Sequence, residues 1–139
     1  MNEEDKKIIK HYWLYVLQLE QGKYYIGVTA STPERRFKQH LSGFAGARWT
    51  RKYKPLEIID RIDLGEVSYL DAEIIENKRT REYMQRFGLN NVRGGDLTEG
   101  ERYINIFNRA VPVSTLPGVF YFVGSVLLIT LLLVDKIFF

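Results

Sequence analysis

Two short aromatic and aliphatic runs, separated by three turn-forming positions, constrain the fold of this chain more than any other feature. Tyr12 to Leu19 and Lys23 to Thr29 are rich in Tyr, Trp, Val, Leu and Ile and read as strands. Between them, Glu20-Gln21-Gly22 suits a three-residue hairpin loop with Gly22 in the left-handed conformation. That loop would set Leu19 against Lys23 and Leu17 against Tyr25, so that Tyr15 and Tyr25 rise from the same sheet face. A two-residue loop would send them to opposite faces, and the residues permit both registers. The three-residue register is expected because only it lets the two tyrosines act together.

The elements that follow carry clear start and stop signals. Thr32 is an N-cap with Pro33 at the first helical position, and Gly43 ends that helix. Arg36 and His40 then stand one turn apart on one helix face. Lys54-Pro55 closes a basic loop, and Leu56 to Ile62 alternates as a third strand. Ser68 opens the longest helix, which runs to about Phe87 before Gly88 and carries Glu73 and Glu76 one turn apart. Asn90 to Gly95 is a turn-rich loop. Thr98 and Glu101 form a capping-box pattern before Tyr103, Ile104 and Phe107, whose spacing predicts a short helix.

Charge and composition narrow the function classes. A chain of 139 residues has room for one small domain. It contains no cysteine, which excludes disulfides and thiolate metal sites. Formal net charge is only +3, but between Arg35 and Lys54 there are seven basic residues and no acidic one. These are Arg35, Arg36, Lys38, Arg48, Arg51, Lys52 and Lys54, interleaved with Phe37, Phe44, Trp49 and Tyr53. Such a block suits a phosphate backbone and a stacked base, whereas alone it would more often be a solvated face.

The last part of the chain is different. Leu116 to Val134 is a run of nineteen residues without a charge, thirteen of them Leu, Ile, Val or Phe. At about 1.5 Å per residue the run is long enough to cross a hydrocarbon core of about 30 Å, and its apolar residues favour insertion by roughly several kcal/mol. A transmembrane helix is therefore expected at 116–134, with a tail at 135–139. The first ten residues are polar, so no secretory signal is expected. Arg102 and Arg109 precede the span and only Asp135-Lys136 follows it, which predicts a single-pass membrane protein with its N-terminal domain in the cytoplasm.

Taken singly, Tyr15 and Tyr25 are ordinary strand residues, Arg36 and His40 an exposed helix turn, and Glu76 a surface carboxylate. Their order is not ordinary. Tyr15, then Tyr25-Ile26-Gly27, then Arg36 to His40, then Ala72-Glu73 to Glu76-Asn77 resembles the GIY-YIG nuclease domain over roughly residues 12–95. The resemblance implies an α+β fold with a small, mostly antiparallel three-stranded sheet flanked by helices. It implies Tyr25 as general base, Arg36 as phosphate ligand, and His40 and Tyr15 as orienting or proton-relaying groups. Glu76 would hold a divalent metal, Mg²⁺ or Mn²⁺, with waters and a substrate phosphate completing its shell. Asn91, Arg93, Gly94 and Gly95 resemble a tail of some family members, with conformational glycines and Arg93 as a further phosphate contact.

The departures are specific. Trp13 stands where the family has its first glycine, and a longer interval from Tyr25 makes Arg35 a rival to Arg36. Glu73 rivals Glu76 in the same way. The expected layout is a polar segment 1–11, the nuclease-like domain 12–95, a short helix and linker 96–115, and the span. The expected function is a membrane-anchored, metal-dependent endonuclease acting on DNA, with RNA or branched nucleic acid as further substrates. The alternative is a non-catalytic nucleic-acid-binding or membrane-interaction module on the same fold.

Overall fold

In the computed structural model, β1 (Ile9–Leu19) and β2 (Lys23–Thr29) form the expected antiparallel hairpin, with Leu19 opposite Lys23 and Leu17 opposite Tyr25. The structure describes residues 4–43, 46–98, 103–106 and 109–112. The turn is tight because Gln21 and Gly22 both adopt left-handed backbone, at φ 60° and 65°. β1 is covered on both faces, and for that reason its centre, Leu14-Tyr15-Val16-Leu17, is buried without alternation. One face packs Leu14, Val16 and Ile26 against Met84 and Val92. The other packs Tyr15, Leu17, Leu19 and Tyr25 against Trp49.

Helix α1 (Pro33–Ser42) starts where its cap predicts: the Thr32 side chain accepts from the Arg35 amide, and Gly43 closes the helix at φ 72°. A five-residue helix, α2 (Arg48–Lys52), occupies part of the basic loop. Strand β3 (Pro55–Ser68) pairs antiparallel with β1 and extends well past Ile62. Helix α3 (Tyr69–Phe87) is capped by Ser68, which accepts from the Asp71 amide, and it ends at Gly88.

Three expectations about architecture are corrected. The sheet has four strands, in the order β3-β1-β2-β4, because β4 (Val92–Gly94) pairs parallel with β2. Three residues are too few for hydrophobic periodicity to announce a strand. In place of the short helix around Tyr103, β5 (Tyr103–Ile106) and β6 (Arg109–Pro112) form an antiparallel pair. Tertiary contacts decide this: the Tyr103 amide donates to Asn90 Oδ1 at 2.9 Å and its ring lies over the Arg93 guanidinium.

The third correction concerns the membrane. Among the described residues no helix is long and apolar enough to cross one. The longest, α3, carries Asp71, Glu73, Glu76, Lys78, Arg79, Arg81, Glu82 and Arg86 along its 19 residues. The run 116–134, where a span was expected, lies outside the described residues. Among the described residues the fold is therefore α+β with no transmembrane helix, which corrects the single-pass, membrane-partner and cytoplasmic-facing assignments built on one.

Candidate active site

The hairpin register creates the site. With Tyr15 opposite Gly27 and Leu17 opposite Tyr25, the two tyrosines share a face, their ring centroids 6.4 Å apart. Gly27 is required by space rather than by backbone angle. A Cβ there would stand against the Tyr15 hydroxyl and ring. Helix α1 crosses this face and delivers His40, 1% exposed, with its ring 5.9 Å from Tyr15 and 5.0 Å from Tyr25. His40 Nε2 lies 2.9 Å from the Tyr15 hydroxyl, and Nδ1 lies 2.9 Å from Thr50 Oγ1 on α2.

Arg36 sits one turn before His40, its Nη1 donating to Gln39 Oε1 at 2.9 Å. Its charge is felt throughout the cluster. Burial raises Tyr15 far above the usual phenol range and the neighbouring Tyr25 adds to the rise, while Arg36, hydrogen-bonded to it, opposes both. Tyr25 is pushed up to about 12 by burial first and by Glu76 second, again opposed by Arg36. His40 falls to about 4, mainly through burial and further through Arg36, so its imidazole is neutral at pH 7.

Glu76 arrives from α3 and is 7% exposed. Burial lifts its carboxyl to about 7, with Glu73 and Asp96 adding to the rise; the Gly95 amide and Arg36 hold it down. That amide donates to Glu76 Oε1 at 3.1 Å. The turn carrying Gly95 is fixed on α3 by the Asp96 amide donating to Asn77 Oδ1 at 2.8 Å and by the Arg81–Asp96 ion pair at 2.8 Å. The glycine tail is thus a positioning device for the carboxylate. Gly95 has φ 51°, and a Cβ on it would collide with Asn77.

Among the described residues no group of three or more His, Asp or Glu side chains gathers as a ready metal cage. One buried carboxylate whose charge is costly to hold is nevertheless a fitting donor for a hard cation that keeps waters and takes substrate oxygens. Glu76 therefore fits such an ion, provided the substrate completes the shell.

Tyr15, Tyr25, Arg36, His40 and Glu76 are brought together from four elements. Of their rivals, Arg35 is exposed on α1, while Glu73 lies half-buried one turn before Glu76 and close enough to raise its carboxyl. Lys38, Arg48, Arg51, Lys52 and Lys54 line the same basic stretch and are all exposed. Arg93 is a correction. Expected as a phosphate contact, it is 0% exposed, its guanidinium 4.4 Å from the Trp49 ring centre and 4.3 Å from that of Tyr103. It donates to the Leu89 and Val92 carbonyls, so its donors are turned inward. Trp49, expected among base-stacking aromatics, is likewise buried, its indole N–H donating to the Tyr24 carbonyl. Thr50 and the Gly95 amide were missed. No local pattern in the sequence ties either to a residue that is ten or nineteen positions away.

The chain matches the family described as GIY-YIG catalytic domain over residues 11–83, more than half its length. It is similar to a UPF0213 protein of Xanthomonas campestris pv. campestris, 46% identical over 50 residues that cover 36% of this chain and 47% of that protein. A UPF0213 protein of Cupriavidus necator is 33% identical over 75 residues, covering 54% of this chain and 79% of that protein. A third, from Cupriavidus pinatubonensis, is 38% identical over 53 residues, covering 38% and 57%. The chain spans about half the length of the Xanthomonas relative it matches. No solved structure matches it.

Proposed function

The chain belongs to the GIY-YIG catalytic domain family, with relatives among UPF0213 proteins, and from that premise we propose that it is a metal-dependent DNA endonuclease. The observation that best supports this reading is the convergence on Arg36. One guanidinium acts on Tyr15, Tyr25, His40 and Glu76, which come from separate elements. Two tyrosines, a neutral imidazole and a buried carboxylate around one cation suit phosphodiester hydrolysis better than they suit structure.

The geometry also supports one proton path. With Tyr25 near 12, only roughly one molecule in 100,000 carries its phenolate at pH 7, and Tyr15 is harder still to ionise. Neither tyrosine acts as a preformed base. Proton removal from the attacking water is proposed to be coupled to His40 Nε2, the acceptor in reach at 2.9 Å from the Tyr15 hydroxyl. The charge developing at the phosphate offsets the cost of protonating an imidazole held at about 4. Water gives its proton to Tyr15 Oη as Tyr15 gives its own to His40, and the hydroxide attacks phosphorus. This moves the proton-accepting role implied for Tyr25 onto Tyr15, leaving Tyr25 to orient the water. Arg36 grips the phosphate oxygens and offsets the charge developing there. A divalent ion, Mg²⁺ or Mn²⁺, held by Glu76 with waters and a phosphate oxygen would add charge stabilisation at the phosphate and the leaving 3′-oxygen.

Arg35 and Lys38 on α1, Arg48, Arg51 and Lys52 on α2, and Lys54 beyond it are proposed to contact flanking phosphates. The test is incubation of the full chain with plasmid, single-stranded, branched DNA and RNA, with Mg²⁺, Mn²⁺ or chelator. Nicking that needs the metal is expected. Binding without cutting on every substrate would leave a non-catalytic nucleic-acid-binding module instead.

A further inference from the structure

Thr50 takes no part in the steps above, yet its hydroxyl is buried, at 2% residue exposure, against His40. It stands in the first turn of α2, whose N-cap is Ala47. Its Oγ1 donates to the Ala47 carbonyl at 2.9 Å and lies 2.9 Å from His40 Nδ1. The Ala47 oxygen, with two lone pairs, also accepts from the Arg51 amide at 3.1 Å.

A threonine hydroxyl has one proton. With that proton directed at Ala47, Oγ1 meets His40 only as an acceptor, so Nδ1 bears the hydrogen. A neutral imidazole carries one N–H, and Nε2 is then a bare lone pair facing the Tyr15 hydroxyl 2.9 Å away. The opposite tautomer requires the Thr50 proton to turn toward Nδ1, which strips the 2.9 Å oxygen–oxygen contact with Ala47 of its hydrogen. It would also aim two donors, Nε2–H and the Arg36 guanidinium, at the Tyr15 oxygen while removing His40 as acceptor for the Tyr15 proton. Only the first arrangement gives each of the three short contacts one hydrogen.

We propose that Thr50 is a positioning residue: by accepting from Nδ1–H it fixes His40 in the tautomer whose Nε2 takes the Tyr15 proton. Its consequence for cleavage rests on the nuclease reading; the tautomer itself does not. The order of donors is fixed by an anchored backbone carbonyl at one end and a tyrosine at the other. His40 is thereby poised before substrate arrives.

The test is ¹⁵N-histidine NMR on the full chain at pH 7, together with cleavage assays. The chain has only His11 and His40, so a His40→Gln variant assigns the signals. Wild type should show His40 protonated at Nδ1 and bare at Nε2. Thr50→Val should shift hydrogen onto Nε2 and slow saturated cleavage by about 100-fold, the lower end of what a positioned acid–base group contributes. DNA affinity should hardly change, and Thr50→Ser should restore both tautomer and rate. Wild-type His40 protonated at Nε2 overturns the proposal, as does a Thr50→Val protein whose tautomer is unchanged. A wild-type chain that cuts nothing yet shows the expected tautomer supports the assignment of Thr50 and contradicts the nuclease reading. The two failures are therefore distinguishable.

Discussion

At the level of single residues, the two tyrosines differ in one respect that matters: Tyr15 has an acceptor for its proton in His40. Tyr15→Phe should therefore slow cleavage by about 100- to 10,000-fold while the domain stays folded. The stability cost should be on the order of 1–3 kcal/mol, because His40 Nε2 loses its partner in a buried site. Tyr25→Phe should be the milder change. Steady-state rates with a folding check decide between them, and a larger loss for Tyr25→Phe would return the base role to that residue. Arg36→Ala and Arg35→Ala separate on the same assay, since only Arg36 bears on the whole cluster; equal losses would undo that distinction. That these residues would converge could be expected only from their resemblance to the family pattern, because Tyr15 and Glu76 stand far apart in the chain. Arg93 and Trp49 were misread because burial is decided by partners far along the chain. A buried Arg stacked between two aromatic rings has the same sequence appearance as an exposed phosphate ligand.

Among the helices and strands, what could be read was what is encoded by neighbours. The caps at Thr32 and Ser68 and the stops at Gly43 and Gly88 each depend on a few adjacent residues, whereas the turn residues alone permit two hairpin registers and only the convergence of Tyr15 and Tyr25 favours the observed one. Strand β4 was not legible, since three residues pair in parallel with a strand more than sixty positions earlier. The β5–β6 pair was not legible either, because Tyr103 sits at a spacing that serves a helix as well as a strand. The strand pairing carries its own prediction. Gly27→Ala should force the Tyr15 ring away, lengthen its contact with His40 and destabilise the domain by roughly 1–3 kcal/mol through overpacking. Cleavage should drop with it, as measured on folded protein; wild-type activity in this variant would show that the Tyr15–His40 contact is dispensable. On α2, replacing Arg48, Arg51 and Lys52 with alanine should weaken DNA binding. It should also flatten the slope of log affinity against log salt by about 0.9 for each phosphate charge that the protein no longer neutralises. An unchanged slope would make this helix an ordinary solvated face.

For the molecule as a whole, His40 and Glu76 pull stability in opposite directions with pH. His40 falls from 6.5 to about 4 on folding, so between these values the unfolded chain binds more protons and stability rises with pH. Glu76 rises from 4.5 to about 7, so the folded chain binds more protons and stability falls as pH increases through that window. In chelator, the two should largely cancel between pH 4.5 and 6.5. Glu76→Gln should unmask the His40 slope, adding up to about 1.4 kcal/mol per pH unit to the rise of stability with pH. Denaturant titrations across that range check this, and parallel pH profiles for wild type and variant would contradict it. The nuclease reading stands or falls on whether this cluster cuts nucleic acid with Glu76 as the metal-holding carboxylate. Nicking of supercoiled plasmid in Mg²⁺ by wild type, Glu73→Ala and Glu76→Ala side by side, with DNA binding measured for each, decides it. Wild type and Glu73→Ala should nick, while Glu76→Ala should bind DNA yet leave it intact; nicking by Glu76→Ala at the wild-type rate, or equal loss in both variants, would contradict that role for Glu76.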